Sequence, residues 1–187
     1  MNHWSIPRFM IDIEALGGKP DGAIATIGMA LFDFAKAGPK HSYYQRVDIQ
    51  SCLDIGLKID LGTCLWWMKQ ADIARVEIYR DEDRVNIELA LVAMSKFIRM
   101  FSVSDDFEVW SRGPDYDLTI LETAFESCGL DCPWPFRSKR DLRSVLAVSG
   151  AEIANAQTPG RHTALGGCLT QIIDIQRAVR PELFGDI

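Results

Sequence analysis

Apolar and polar positions change their rhythm along this chain. Arg8 to Ile13 (RFMIDI) and Ala23 to Phe32 are short apolar runs separated by the Gly-Gly-Lys-Pro-Asp-Gly segment at Gly17 to Gly22. That pattern predicts two strands joined by a turn, and a third strand follows at Ser42 to Val47. From Thr63 onward the spacing is helical. One helix is expected over Thr63 to Gln70, another from Asp72, and a longer one from Asp83 to Phe101. In the last, Ile87, Leu91, Met94, Ile98 and Phe101 recur at steps of three and four and make one buried face. A strand at Phe107 to Trp110 then runs into Ser111-Arg112-Gly113-Pro114 and a helix from Asp115 to Gly129. Further helices are expected after Ser138 and from His162 to Val179, ahead of Pro181. No internal repeat or linker interrupts the series. Strands first, then strand–helix alternation, predicts a single α/β domain over residues 1–187 with a mixed central sheet flanked by helices.

Composition narrows the class. The chain has 187 residues, 48% hydrophobic and 25% charged, which excludes disordered, collagen-like and disulfide-built small proteins. The longest apolar run, Ala23 to Phe32, is too short to span a bilayer and carries Thr26 and Gly28. The opening residues show neither a basic segment nor an apolar core of a leader, so a soluble, cytoplasmic protein with no membrane partner is expected. Net charge is -6, which argues against a coat for long duplexes but leaves room for an enzyme with a concentrated acidic site. The five cysteines are scattered. Cys128 and Cys132 are four apart, but no second Cys/His pair completes a zinc site, so reduced thiols are expected.

Candidate chemistry begins at the end of the first strand. Asp12 and Glu14 are two residues apart, so a strand places both on one face, where two carboxylates repel unless a cation joins them. Oxygen-only ligands of this kind suit Mg²⁺ or Mn²⁺. Asp115 and Asp117 lie at the strand-to-helix turn after Pro114, where acids also serve simply as favourable partners of a helix dipole. His162 follows the Thr158-Pro159-Gly160-Arg161 loop at the head of the last helix.

In this order the segments resemble the DnaQ-like 3′–5′ exonucleases, the histidine (DEDDh) branch of the ribonuclease H-like fold. Asp12-Ile13-Glu14 with its following Gly-rich turn is similar to their first motif, Trp110 to Leu121 (WSRGPDYDLTIL) to the second, and His162-Thr163-Ala164-Leu165 to the third. Leu65 to Gln70 (LWWMKQ) and Lys139 to Ser144 (KRDLRS) resemble further blocks of the small phage exonuclease A and bacterial 3′–5′ exoribonuclease group. The resemblance runs from about Arg8 to Val179. It implies a ribonuclease H-like fold and hydrolysis of phosphodiester bonds at the 3′ ends of single-stranded RNA or DNA. It also implies metal ligation by Asp12, Glu14 and Asp117, with His162 as the base that takes a proton from water. Two divalent ions would steady the attacking and leaving oxygens. Leu16 marks where the family packs the terminal base, and Arg112, Arg140 and Arg143 are candidates for phosphates. Trp66 and Trp67 are candidates for stacking on a base, and related small enzymes are often homodimers.

One position departs from the pattern. The family carries an aspartate five residues after its histidine, and this chain has Gly167 there. Asp174 lies seven residues beyond, about 10 Å along a helix, too far to replace it. Asp141, on another element, is the remaining acidic candidate. The expected function is therefore a 3′–5′ exonuclease with turnover weakened by the missing acid. The alternative is a catalytically silent relative that binds nucleic acid, a nucleotide or a protein partner. Restored activity in Gly167→Asp would show the rest of the machinery to be intact.

Overall fold

The computed structural model describes residues 3–102, 104, 106–150 and 163–185. Its centre is a six-stranded sheet built from β1 (Arg8–Ala15), β2 (Ile24–Phe32), β3 (His41–Val47), β4 (Arg84–Val85), β5 (Glu108–Ser111) and β6 (Lys139–Asp141). They lie in the order β4-β3-β2-β1-β5-β6. β2 is antiparallel to β1 and β3, whereas β5 runs parallel to β1 and β6 parallel to β5. The sheet is thus mixed, as the apolar pattern predicts. All nine residues of β2 are buried, which is why that segment reads as a continuous apolar run rather than an alternation.

Among the described residues, seven α-helices accompany the sheet: α1 (Ile49–Asp54), α2 (Leu61–Met68), α3 (Asp72–Tyr79), α4 (Ile87–Phe101), α5 (Asp117–Ser127), α6 (Leu142–Ser149) and α7 (Ala164–Val179). On one face, Phe9, Ile11 and Ile13 of β1 meet Leu91, Met94 and Ile98 of α4 and Leu118, Leu121 and Phe125 of α5 in the main core. On the other, Met10 and Trp110 meet Leu142 and Leu146 of α6 and Cys168, Ile172 and Ile175 of α7. A smaller cluster holds Leu16, Ala25, Trp67, Ala74 and Ile78, bringing α2 and α3 against the end of β1.

Local chemistry sets the ends. Asp60, Asn86, Asp141 and Thr163 each cap a helix by accepting a backbone N–H, satisfying donors that the first turn leaves without partners. The long helix therefore starts at Ile87 and not at Asp83. Asp83 has φ of 62° and Arg84–Val85 pair with β3 before Asn86 opens the helix. α1, β4 and β6 have no counterpart in the sequence reading, being too short to show a period.

Two features of register position the site. β5 pairs with β1 only as far as Met10 opposite Trp110, so Asp12 and Glu14 continue past the end of their parallel neighbour. On the other side Asp12 stands opposite Gly28 and Glu14 opposite Thr26. Helix α7 is laid directly on Gly28: a Cβ there would stand 2.3 Å from the Ala164 carbonyl carbon, closer than any real contact. Gly28→Ala is expected to destabilise the fold by about 1–3 kcal/mol through overpacking, read as a lower urea midpoint. An unchanged midpoint would show that α7 is not seated on this glycine.

Candidate active site

Asp12 follows Met10 on the face of β1 that meets α7, and it is half-buried there. Its Oδ1 accepts the side-chain N–H of Gln171 on α7 at 3.1 Å. Asp117 reaches the same strand end from the start of α5. The N–H of Ile13, beyond the last pair with β5, donates to Asp117 Oδ1 at 3.4 Å. Ser111, the last residue of β5, donates its hydroxyl to Asp117 Oδ2 at 2.7 Å and accepts the Gly113 N–H at 3.0 Å. A strand end, a tight turn and a helix start thus hold one carboxylate against β1. Asp117 is buried while Asp115, two residues earlier, is exposed.

Burial dominates the electrostatics. It pushes Asp12 well above the ordinary carboxylate range, and the nearby Asp117 and Glu14 charges push it further. Glu14 is raised to about 8 by burial, then by Asp117 and by Glu77 of α3. Asp117 is raised to about 6 by burial, with the Ser111 and Ile13 hydrogen bonds and the Arg143 charge acting the other way. Two arginines flank the acids. Arg112 lies 3.9 Å from the buried Asp174 and its charge favours ionised Asp12. The Arg143 guanidinium lies 3.6 Å from where a Cβ on Gly113 would stand.

The remaining candidates fall in varied settings. Leu16 is buried in the small cluster under α2, with its N–H donating to Ala23 O and its carbonyl accepting the Asp60 N–H. Trp67 is only 3% exposed and its indole N–H donates to Ala15 O at 2.9 Å, whereas Trp66 is 49% exposed and meets Trp67 edge to face. The free ring surface thus belongs to Trp66. Arg140 sits on β6 at the sheet edge, bound to Glu108 at 3.1 Å and to the carbonyls of Arg137 and Lys139. Asp141 is occupied as the cap of α6, accepting the Arg143 N–H at 3.0 Å and the Ser144 hydroxyl at 2.5 Å. His162 lies outside the described residues.

Sequence reasoning missed Ser111, Gln171 and Thr26. The signal for Gln171 was available, since it follows Gly167 by one helical turn and so shares its face. Ser111 is a single hydroxyl whose bond to Asp117 depends on the turn geometry between them, and Thr26 is placed by pairing opposite Glu14 across the sheet.

Among the described residues, no three His, Cys, Asp or Glu side chains are grouped closely enough to hold an ion as they stand. The chemistry of the donors still suits a hard divalent cation. The buried Asp117 and the half-buried Asp12 and Glu14 disfavour one another's charge, and the buried Gln171 Oε1 and Thr26 Oγ1 have no hydrogen-bond partner among the described residues.

These features define a class: an α/β domain with a mixed central sheet and acids carried on the end of its first strand. Residues 7–173 match the family of 3′-5′ exoribonuclease Rv2179c-like domains, and the chain belongs to that family. Solved nucleases share the fold. Cell-death related nuclease 4 (CRN-4) superposes with a TM-score of 0.66 at 12% identity, over 94% of this chain and 64% of that one. The nuclease domain of 3′hExo, a DEDDh family member bound to rAMP, gives 0.58 at 13% identity, over 95% and 93%. Escherichia coli exonuclease I in its zinc-bound complex with single-stranded DNA gives 0.60 at 15% identity, over 96% and 42%. The chain therefore spans less than two thirds of CRN-4 and less than half of exonuclease I. No curated protein matches it in sequence.

The raised acids have a consequence for the metal-free protein. The folded-state pKa of Glu14, about 8, lies above the unfolded value of ~4.3. The stability this group contributes is full below the unfolded pKa and is lost as pH rises through the folded one. In chelator, Glu14→Gln is expected to match the natural protein near pH 4 and to exceed its melting temperature by several degrees at pH 9. Parallel melting curves across that range would contradict the burial of this charge.

Proposed function

We propose that this chain is a metal-dependent 3′–5′ exonuclease that shortens single-stranded RNA or DNA from the 3′ end, with turnover reduced by Gly167 in place of a fourth acid. Family membership over residues 7–173 is the observation that carries the reading. The grouping of Asp12, Glu14 and Asp117 at one strand end supports it. So does the single-stranded DNA bound by exonuclease I, a neighbour in fold.

In this reading Asp12, Glu14 and Asp117 hold Mg²⁺ or Mn²⁺. A divalent ion there supplies positive charge to the oxygens of the phosphodiester during displacement. The chain's own groups do the rest. Ser111 and the Ile13 N–H fix the Asp117 carboxylate. Arg112 and Arg143 bring cationic charge beside the acids and orient the phosphate. His162 accepts the proton of the attacking water, as an imidazole can near neutral pH. Leu16 and Trp67 back the apolar side, and the exposed ring of Trp66 is the one offered to the terminal base. Arg140 reaches phosphate only on leaving Glu108.

The reading includes a cytoplasmic setting, supported by five free cysteines. Among the described residues no helix is long and apolar enough to cross a membrane. It also includes a homodimer, supported by the exposed apolar side chains Leu61, Leu65, Trp66, Met68, Ile73 and Val76 of α2 and α3.

A second reading rests on Gly167: a silent relative that binds nucleic acid, a nucleotide or a protein partner without cutting. A time course on 5′-labelled RNA and DNA oligonucleotides with Mg²⁺ and with Mn²⁺ separates the two. Stepwise shortening is expected, stopped by chelator and slowed at least roughly hundredfold in Asp12→Ala, from the loss of several kcal/mol of transition-state stabilisation. Tight binding with no shortening would replace the nuclease reading by the silent one.

A further inference from the structure

The backbone of α7 stands against Asp12. A Cβ added at Gly167 would lie 1.9 Å from Asp12 Oδ2 and 2.9 Å from its Cγ, so the carboxylate occupies the space where any side chain at 167 would begin. The helix is held this low by a second glycine, Gly28, whose own Cβ would stand 2.4 Å from Ala164 O. Gly28 pairs with Asp12 in register, so both glycines act at the same level of the sheet. Thr163 caps the helix by accepting the Gly166 N–H at 3.0 Å, and the Gly167 N–H bonds back to Thr163 O at 2.8 Å. The first turn is therefore complete and offers no slack.

Around Asp12 stand oxygen donors with spare capacity, one of them on α7 itself. Glu14 and Asp117 are close enough to perturb Asp12 electrostatically. Gln171 is 96% buried by its 4% exposure; its amide N–H holds Asp12 Oδ1 while its Oε1 has no hydrogen-bond partner among the described residues. Thr26, fully buried and opposite Glu14, leaves its hydroxyl in the same condition. A buried acceptor and a buried hydroxyl without partners, beside three carboxylates, are the surroundings of a hard cation and not of an empty core.

We propose that this site takes a single divalent cation, shared by Asp12, Glu14 and Asp117, because Gly167 brings no ligand and the Asp12 carboxylate fills the space where a side chain at 167 would begin. The proposal rests on the metal-dependent reading above and reduces to one the two ions that the family resemblance implies. Gly167 is then more than a missing ligand. It is the residue that lets the helix fill the position, so Gly167→Asp requires Asp12 to rotate off Gln171 before a new carboxylate can enter.

Calorimetric titration of the full chain with Mn²⁺ alone tests this. One ion per chain is expected, lost in Asp12→Asn. Two ions would overturn the proposal and leave metal-dependent hydrolysis standing. No ion would overturn it together with the metal-dependent reading. Gly167→Ala adds a methyl group without charge, and with unchanged circular dichroism it is expected to bind Mn²⁺ at least about tenfold more weakly by displacing Asp12. Unchanged affinity in that variant, or a second ion in Gly167→Asp, would show that Asp12 does not fill this space.

Discussion

Burial of carboxylates at the end of a central strand is the constraint on which the rest of this structure depends. β1 lies between β2 and β5 and carries Asp12 and Glu14 past the last β5 pair, into a space closed by α7 and the start of α5. Like charges in such a space each raise the other's proton affinity, and desolvation adds to it. The surrounding elements answer that cost. Ser111 and the Ile13 N–H serve Asp117, Gln171 serves Asp12, and Arg112 and Arg143 supply charge from the rim. A fold stabilised by two apolar cores can carry one such cluster, and positioning it is what the strand order accomplishes.

Helix α7 links packing to chemistry. Its apolar side, with Cys168, Ile172 and Ile175, is core, while Gly167, Gln171 and Asp174 meet Asp12 and Arg112. The same helix therefore fixes both the thickness of the layer and the environment of the acid. Gly28 and Gly167 set how deep it sits, and a change at either position reaches the site through the helix backbone.

Much of this was legible in the sequence, for identifiable reasons. β1, β2 and α4 read correctly because their burial imposes a period or a continuous apolar run long enough to recognise. Asp12 and Glu14 stood out because a strand has no other use for two acids on one inward face. Short elements did not show: β4 has two residues and β6 three. The partners of the acids were hidden for another reason. Gln171 and Asp12 are 159 residues apart, and only the stacking of α7 on β1 brings them together. Adjacent tryptophans look equivalent in the sequence. The indole bond of Trp67 to Ala15 O turns one inward and leaves Trp66 as the exposed ring. The tight seat of Gly167 on Asp12 is likewise a property of helix depth and not of composition.

The central claim is that the strand-end acids are a cation site whose occupation relieves their mutual repulsion. The most direct measurement is the urea midpoint at pH 8 as a function of Mn²⁺ concentration, for the natural protein beside Asp12→Asn. A ligand that binds only the folded state stabilises it in proportion to the logarithm of its concentration once the site is saturated. The account predicts a rising midpoint with the slope of one bound ion, and a flat line for Asp12→Asn. Equal, flat lines for both proteins would contradict it.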